Sequence, residues 1–347
     1  MEKILIPYRK GFKANLHSHS TDSDGKLTPE QMKKLYKDNG YSVLAYTDHV
    51  YMRDRTSLTD ENFVAISGYE NYILDWDFDD PEMSKKVNPL ECKCYHLNFY
   101  SPRPDKVGMV GIRKYFYDYY YKVYKGGKTP EEIAASPVIG DFIPDAYSKA
   151  VAQQCIDDAA KQGYLVVFNH PVWSRQDDSD YLGLKGLTGM EIYNWGGIRG
   201  GFEDEASYIY DLMLRDGQRI ACFANDDNHN HVEGESFGGY NILYADKLDY
   251  EHIFNAIKNG DGYASSGAEI KGMAYKDGKL YVSTENAAYI RLTTNGRYAA
   301  IERMKTEPLK EAVFDVSDEF IKYFRITVRD TQGGKAYTRG YFTDEIK

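Results

Sequence analysis

The chain has 347 residues, of which 42% are hydrophobic and 28% charged, and its formal net charge is −10. That composition supports a globular fold with a substantial core, and the length exceeds one ordinary domain. No apolar run is long enough to span a bilayer, so no membrane partner is expected, and the negative total counts against long duplex nucleic acid as a partner.

The first residues, Met1–Arg9, lack the long apolar run and small-residue cleavage site of a secretory signal. Of the four cysteines, Cys222 falls in an apolar strand pattern, and Cys92-Lys93-Cys94 lacks the second pair of a zinc knuckle. A cytoplasmic protein with reduced thiols is expected.

In chain order, apolar runs of strand length occupy 13–17, 41–47, 64–69, 95–99, 164–168, 190–193 and 220–224. Several do not alternate, as expected of parallel strands covered on both faces. Helical patterns separate them. Thr28 caps the first, with Pro29 at its first position, Gln31 completing a capping box and Gly40 at its end. Further helices are predicted over 145–162, 203–216 and 250–259, closed by Gly163, Gly217 and Gly260. About seven such repeats predict an α/β barrel, whose chemistry gathers at the C-terminal ends of its strands.

Residues 102–144 interrupt this rhythm with Tyr115, Phe116, Tyr117, Tyr119, Tyr120, Tyr121 and Tyr124. The segment either forms a lid presenting aromatic faces to a base or sugar, or packs as an amphipathic helix on the barrel surface. Packing is preferred, because aromatic stripes are most often buried. After Ile270 the pattern becomes short alternating runs with turns at Asp277-Gly278, Asn295-Gly296 and Gln332-Gly333-Gly334. A barrel over 1–268 and a small all-β sandwich over 269–347 are expected. The sandwich holds no histidine, and its partner is not legible.

Six of the eight histidines stand in short motifs at or near the ends of apolar runs: His17-Ser18-His19, Thr47-Asp48-His49, His96, Asn169-His170-Pro171 and Asp227-Asn228-His229. Asp24, Glu70 and Asp227 occupy equivalent settings. Neutral imidazole and carboxylate suit Zn, Mn or Fe, and a catalytic site leaves positions open for water and substrate. His17 and His19 can share a metal only if the strand gives way to loop, since alternation sends them to opposite faces. Glu70 is the natural bridging ligand, because a carboxylate spans two ions and a neutral imidazole does not. His231 and His252 are read as non-functional.

His17-Ser18-His19-Ser20-Thr21-Asp22-Ser23-Asp24-Gly25 resembles the opening motif of the PHP (polymerase and histidinol phosphatase) superfamily, and the later motifs follow in the same order. The resemblance covers roughly 12–268. It implies a distorted (β/α)7 barrel related to the TIM barrel, two or three divalent ions at its C-terminal face, and phosphoesterase activity. Carried over residue by residue, it implies that His17, His19, Glu70 and Asp227 hold one ion, Glu70, His96 and His170 a second, and Asp24, His49 and His229 a third. Asp226 stands where a serine is common before the final Asp-x-His.

The expected function is hydrolysis of a phosphomonoester or phosphodiester of a small molecule or nucleotide, by a hydroxide bridging the metals, with Glu70, Asp227 and His229 closest to the reaction. Arg175 is the first candidate to grip phosphate, Arg199 the second, and Arg53 or Arg55 the third. Asp48 and Glu191 are candidates to orient ligands. Two other functions compete: hydrolysis of a C–N bond, as in amidohydrolases, and a non-catalytic module stabilised by metal. The first usually needs a carboxylated lysine or a different ligand order. Full occupancy of the nine ligand positions counts against the second.

Overall fold

The structure, a computed structural model, describes residues 2–74, 92–118, 121–122, 127–144 and 146–346. An N-terminal strand, β1 (Glu2–Ile6), precedes seven strands that carry the site: β2 (Phe12–Asn15), β3 (Val43–Tyr46), β4 (Val64–Leu74), β5 (Cys94–Tyr100), β6 (Leu165–Phe168), β7 (Gly189–Asn194) and β8 (Ala221–Asn225). Every residue of β3 to β8 is buried, which is why these segments read as apolar without alternation.

β2, β3 and β4 pair in parallel, as do β6, β7 and β8, but β5 runs antiparallel to both β4 and β6. The expectation of a wholly parallel set is corrected there. β4 and β5 also form a two-stranded ladder from Gly68↔Tyr100 to Leu74↔Cys94. Glu70 and His96 therefore lie within strands rather than at strand ends. Because β5 is reversed, His96 near its start reaches the edge where the neighbouring strands finish.

The expected barrel is not a closed ladder. β9 (Tyr240–Leu243) pairs with the edge of β2 that a closing strand would use. β2 and β8 instead meet just beyond their ends, where Asn225 Oδ1 accepts from Leu16 N at 3.0 Å and Asn15 Oδ1 accepts from Asp226 N at 3.0 Å. One isolated bridge, Ser18 to Asn228, completes the seam.

β10 (Gly262–Ser265) pairs with β9 on one side and with a C-terminal strand on the other, so hydrogen bonding continues into an antiparallel region. Its strands are β11 (Ile270–Lys276), β12 (Lys279–Thr294), β13 (Ala299–Arg303), β14 (Leu309–Asp315), β15 (Tyr323–Asp330) and β16 (Lys335–Thr338). β12 is one strand where the alternation predicts two. Its first half pairs with β11 and β14, and its second half with β13 and β15. Leu280, Val282, Ile290 and Leu292 from both halves enter one core with Phe314, Phe324 and Ile326. β1 joins this region through β11. The Asp277-Gly278 turn has φ of +50° and +80°, the left-handed pair that a tight hairpin requires.

Two of the predicted helices form close to their expected bounds, while the one expected from 145 starts only at Lys149, after its Ser148 cap, and ends as expected. α1 (Pro29–Asp38) carries the Thr28–Gln31 capping box, α2 (Lys149–Gln162) ends on Gly163 at φ +76°, and α4 (Tyr250–Asn259) is capped by Asp249. α3 (Ser207–Arg215) starts later than its pattern suggests. The residues before it are held elsewhere: Asp204 O accepts from Asn194 N, and Glu205 bridges to Tyr193.

Of the tyrosine-rich segment, Tyr119, Tyr120 and Tyr124 lie outside the described residues, as does Asp145 at the start of a predicted helix. Tyr121 is buried, its ring 4.2 Å from that of Tyr117, and its hydroxyl donates to Ser136 O. Tyr115 and Tyr117 pack on the same core. Among the described residues no helix is long and apolar enough to cross a membrane, and none of the four cysteines forms a disulfide.

Candidate metal centre

β2 ends at Asn15, so His17 and His19 stand in irregular backbone, and their Nε2 atoms approach to 3.2 Å. Gly25 is needed beside them: a Cβ there would lie 2.2 Å from His19 O. His170 and Asp227 have φ of +22° and +52°. Backbone in this region is costly for residues with a side chain, and such strain collects at functional sites. The sharp turns after β6 and β8 aim both side chains inward.

Glu70 is the hub. Its Oε1 lies 3.1 Å from His96 Nδ1, 3.3 Å from His170 Nε2 and 3.4 Å from His17 Nε2. Its Oε2 lies 3.0 Å from His49 Nδ1 and 3.5 Å from His19 Nε2. Asn169 Nδ2 donates to Oε1 at 2.9 Å. Asp227 Oδ1 is 3.2 Å from His17 Nε2 and 3.1 Å from His19 Nε2, while Asp24 Oδ2 is 3.3 Å from both His49 Nε2 and His229 Nε2. All nine expected positions converge. Their donor atoms form overlapping groups: His17, His19, Glu70 and Asp227; Glu70, His96 and His170; and His19, Asp24, His49 and His229.

These residues fit divalent ions. Zinc–nitrogen bonds of about 2.0 Å give tetrahedral edges of about 3.3 Å, the spacing found here between neighbouring donors. His19 Nδ1 is buried and makes no hydrogen bond among the described residues, with Asp24 Oδ1 3.8 Å away. Two imidazole nitrogens facing each other at 3.2 Å, beside buried carboxylates, form a donor set that a cation satisfies.

Burial opposes charge on all of these groups, and their neighbours then set them apart. His19 falls to about 3, by burial and by the nearby His49 and His229; burial also takes His96 down to about 4. At His49 burial is outweighed by Asp24 and Glu70, which lift it to about 10; Glu70 and Asp227 likewise lift His170 to about 9. Burial alone would raise Glu70, Asp24 and Asp227, yet the surrounding imidazoles hold all three well below the usual carboxylate range.

A layer of hydrogen bonds sets these side chains. Glu191 Oε1 accepts from His17 Nδ1 at 2.8 Å and from Asn225 Nδ2 at 2.8 Å, and its Oε2 accepts from His170 N and Asn194 Nδ2. Asp48 gathers the Ser20–Gly25 loop, accepting from Ser20 N, the hydroxyls of Ser20 and Ser23, and Arg55. Asp226 accepts from Tyr36 Oη, Phe237 N and Gly239 N, so its carboxylate folds the loop after β8.

A cleft of about 420 Å³ opens beside Asp227 and His229, walled by Trp173, Gly196, Gly197, Arg199, His231 and Glu235 among others. Arg199 Nη1 also donates to Glu233 O at 2.6 Å. Arg175 is exposed and does not line the cleft, and Arg55 is committed to Asp22 and Asp48. His231, read from sequence as non-functional, forms part of the wall, and its Nε2 donates to Asp24 O at 2.7 Å. Sequence reasoning passed over Trp173, although it stands two residues after the Asn169-His170-Pro171 motif. It also passed over Asp204, a buried carboxylate that accepts from Trp173 N.

A scan against protein-family models finds no match, and neither does a search of curated proteins. Solved structures do resemble the chain. A two-domain protein from Bacteroides vulgatus, containing a predicted PHP-like metal-dependent phosphoesterase, is 13% identical with a TM-score of 0.45, over 98% of each chain. An amidohydrolase from Chromobacterium violaceum is 15% identical with a TM-score of 0.38, over 64% of this chain and 88% of its own. Endonuclease Q, in complex with a 27-mer duplex substrate carrying an abasic lesion, is 13% identical with a TM-score of 0.39, over 71% of this chain and 56% of its own.

The expectation that long duplex nucleic acid is excluded is corrected: the overall charge does not carry it, and Endonuclease Q, one of the similar structures, is in complex with a duplex. Net charge is a sum over the whole chain, whereas phosphate binding depends on the field at one mouth, so an acidic total does not rule out a duplex. Among these similar structures, the two-domain protein bears the name of the family that the motifs resemble, the PHP-like metal-dependent phosphoesterases.

Proposed function

We propose that this chain is a metal-dependent phosphoesterase with three ion positions around Glu70. The observation that carries the reading is the convergence of six imidazoles and three carboxylates, with neighbouring donors spaced as edges of coordination polyhedra. His17, His19, Glu70 and Asp227 would hold one ion, Glu70, His96 and His170 a second, and Asp24, His49 and His229 a third, with Mn, Zn or Fe suiting the donors. When bound, divalent ions supply Lewis acidity, which makes water nucleophilic near neutral pH and offsets charge on a phosphoryl group.

The protein's own groups do the positioning. Glu70 stays ionised, fixed by Asn169 and spanning the first two ligand groups. Glu191 would hold a proton of His17 on Nδ1, so that Nε2 is the nitrogen offered to an ion beside Asp227. Asp227 and His229 stand where the ligand groups meet the cleft. Arg199 is the cation placed to meet a phosphoryl oxygen, and the Trp173 ring, 41% exposed, offers a face to the rest of the substrate. Arg175, outside the cleft wall, is the weaker candidate.

The reading extends to architecture. Seven strands with the Ser18–Asn228 seam would form a distorted barrel over 1–268, and 269–347 the appended β-sandwich, supported by the core around Leu280 and Phe314, which Ile6, Tyr244 and Tyr263 also enter. A cytoplasmic location goes with it, supported by thiols that form no disulfide. The test is a substrate panel with Mn or Zn supplied: p-nitrophenyl mono- and diesters, nucleotides, a duplex with an abasic site, and amides. Phosphoester cleavage is expected. Cleavage of amides alone would establish the C–N hydrolase reading instead, and no cleavage with metal bound would leave the binding module.

A further inference from the structure

The Ser20–Gly25 loop lies between β2 and α1 and belongs to neither. Asp24 is its contribution to the third ligand group, so the geometry of that group depends on what fixes the loop. Contacts from several directions do so, among them His231 Nε2, which donates to Asp24 O at 2.7 Å, and Lys26 N, which donates to His229 O at 2.9 Å. From the segment after β3, Asp48 binds Ser20 and Ser23, and Arg55 reaches Asp22 Oδ2 at 2.7 Å, with Arg53 3.4 Å from Oδ1. From outside comes a lysine of the 102–144 insertion: Lys128 Nζ donates to the backbone oxygen of Asp22 at 2.6 Å.

Lys128 is itself well placed for this task. Its backbone N donates to Tyr121 O at 2.7 Å. Its ammonium lies 4.1 Å from the centre of the Tyr51 ring, and Tyr51 in turn packs on Tyr121 at 5.8 Å. Met52 N, next to Tyr51, donates to Ser136 Oγ, and Tyr121 Oη donates to Ser136 O. The insertion, the segment that follows His49 and the Asp22 carbonyl are thus joined at one ammonium. A cation over an aromatic face is attracted by the ring, which offsets part of its desolvation.

We propose that Lys128 is a positioning residue that latches the insertion onto the Asp24 loop and sets the affinity of the ion held by Asp24, His49 and His229. The inference rests on the metal reading above. Groups that orient ligands from behind typically cost 10–100-fold in metal affinity when lost. Removal of the latch should weaken one ion and leave the ions around Glu70 untouched, because Glu70 and His96 lie within strands, Asn169 fixes Glu70, and Glu191 holds the His170 backbone.

The experiment is a zinc titration of the full metal-free chain, comparing parent, Lys128→Met and Lys128→Arg, with thermal unfolding of each metal-free form as control. Lys128→Met is expected to lose about tenfold or more in affinity for one ion while its metal-free unfolding temperature stays near that of the parent, and Lys128→Arg should restore much of the loss. If Lys128→Met does not fold, Lys128→Gln, which lacks the reach, makes the same comparison. A variant that binds every ion as the parent does, or weakens all equally, overturns the latch. A parent chain that takes up no zinc overturns the metal reading and the latch with it.

Discussion

Glu191 Oε1 accepts the hydrogen bond of His17 Nδ1 at 2.8 Å, and neither residue is exposed to solvent. The carboxylate fixes which imidazole nitrogen carries the proton, and it is itself saturated by Asn225, Asn194 and His170 N. In Glu191→Gln one of these donors would face an amide N–H. Zinc affinity should fall about 10–100-fold, and competition against a chelator of known affinity measures the loss. Affinity equal to the parent would mean that His17 needs no orienting partner.

Glu70→Gln is expected to abolish phosphoester cleavage and to reduce the number of ions bound, because the same carboxylate borders five imidazoles. Metal analysis of the purified variant checks the stoichiometry separately from activity. A variant that kept the full complement of ions would remove Glu70 from its central place.

The metal-free chain should lose stability as pH rises above neutrality. His49 and His170 titrate near 10 and 9 when folded, against about 6.5 when unfolded. Their contribution is complete below about 6.5 and is lost as pH climbs through the folded values. Divalent ions compete for the same nitrogens, so metal uptake at pH 7 should release protons, and affinity should rise with pH across that window. Calorimetry in two buffers of different ionisation heat reads the proton release. Uptake without protons would contradict it.

Asp226→Ala should destabilise the fold by about 2–4 kcal/mol, since Phe237 N and Gly239 N lose their shared acceptor and Tyr36 Oη loses one of its partners. Denaturant unfolding of the metal-free protein gives the figure. A change within about 0.5 kcal/mol would show that the loop after β8 holds itself.

Arg199→Ala should raise KM about tenfold with a smaller change in kcat, as expected for a contact made in both ground and transition states. Arg175→Ala should leave KM nearly unchanged, because that side chain does not wall the cleft. Steady-state kinetics on the best substrate of the panel decide between them.

Much of the architecture was legible because strand burial writes itself into composition. Runs such as Leu165–Phe168 and Val43–Tyr46 are apolar throughout because both faces are covered. Helix ends were legible where a side chain or glycine does the capping, as at Thr28, Gly163 and Gly260. α3 was placed too early, because its first predicted turn is taken by contacts of Asp204 and Glu205 that no local pattern records.

The residue types and their order declared which groups could serve as ligands, since imidazole and carboxylate chemistry belongs to the side chain wherever it lies. Only the folded chain decided that they meet. The reversal of β5 brings His96 to Glu70, the left-handed backbone at His170 and Asp227 turns both inward, and Asn15 and Asn225 close a seam that strand pairing leaves open. Strand direction and the course of a loop depend on contacts between residues far apart in sequence, and such contacts leave no local periodicity to read.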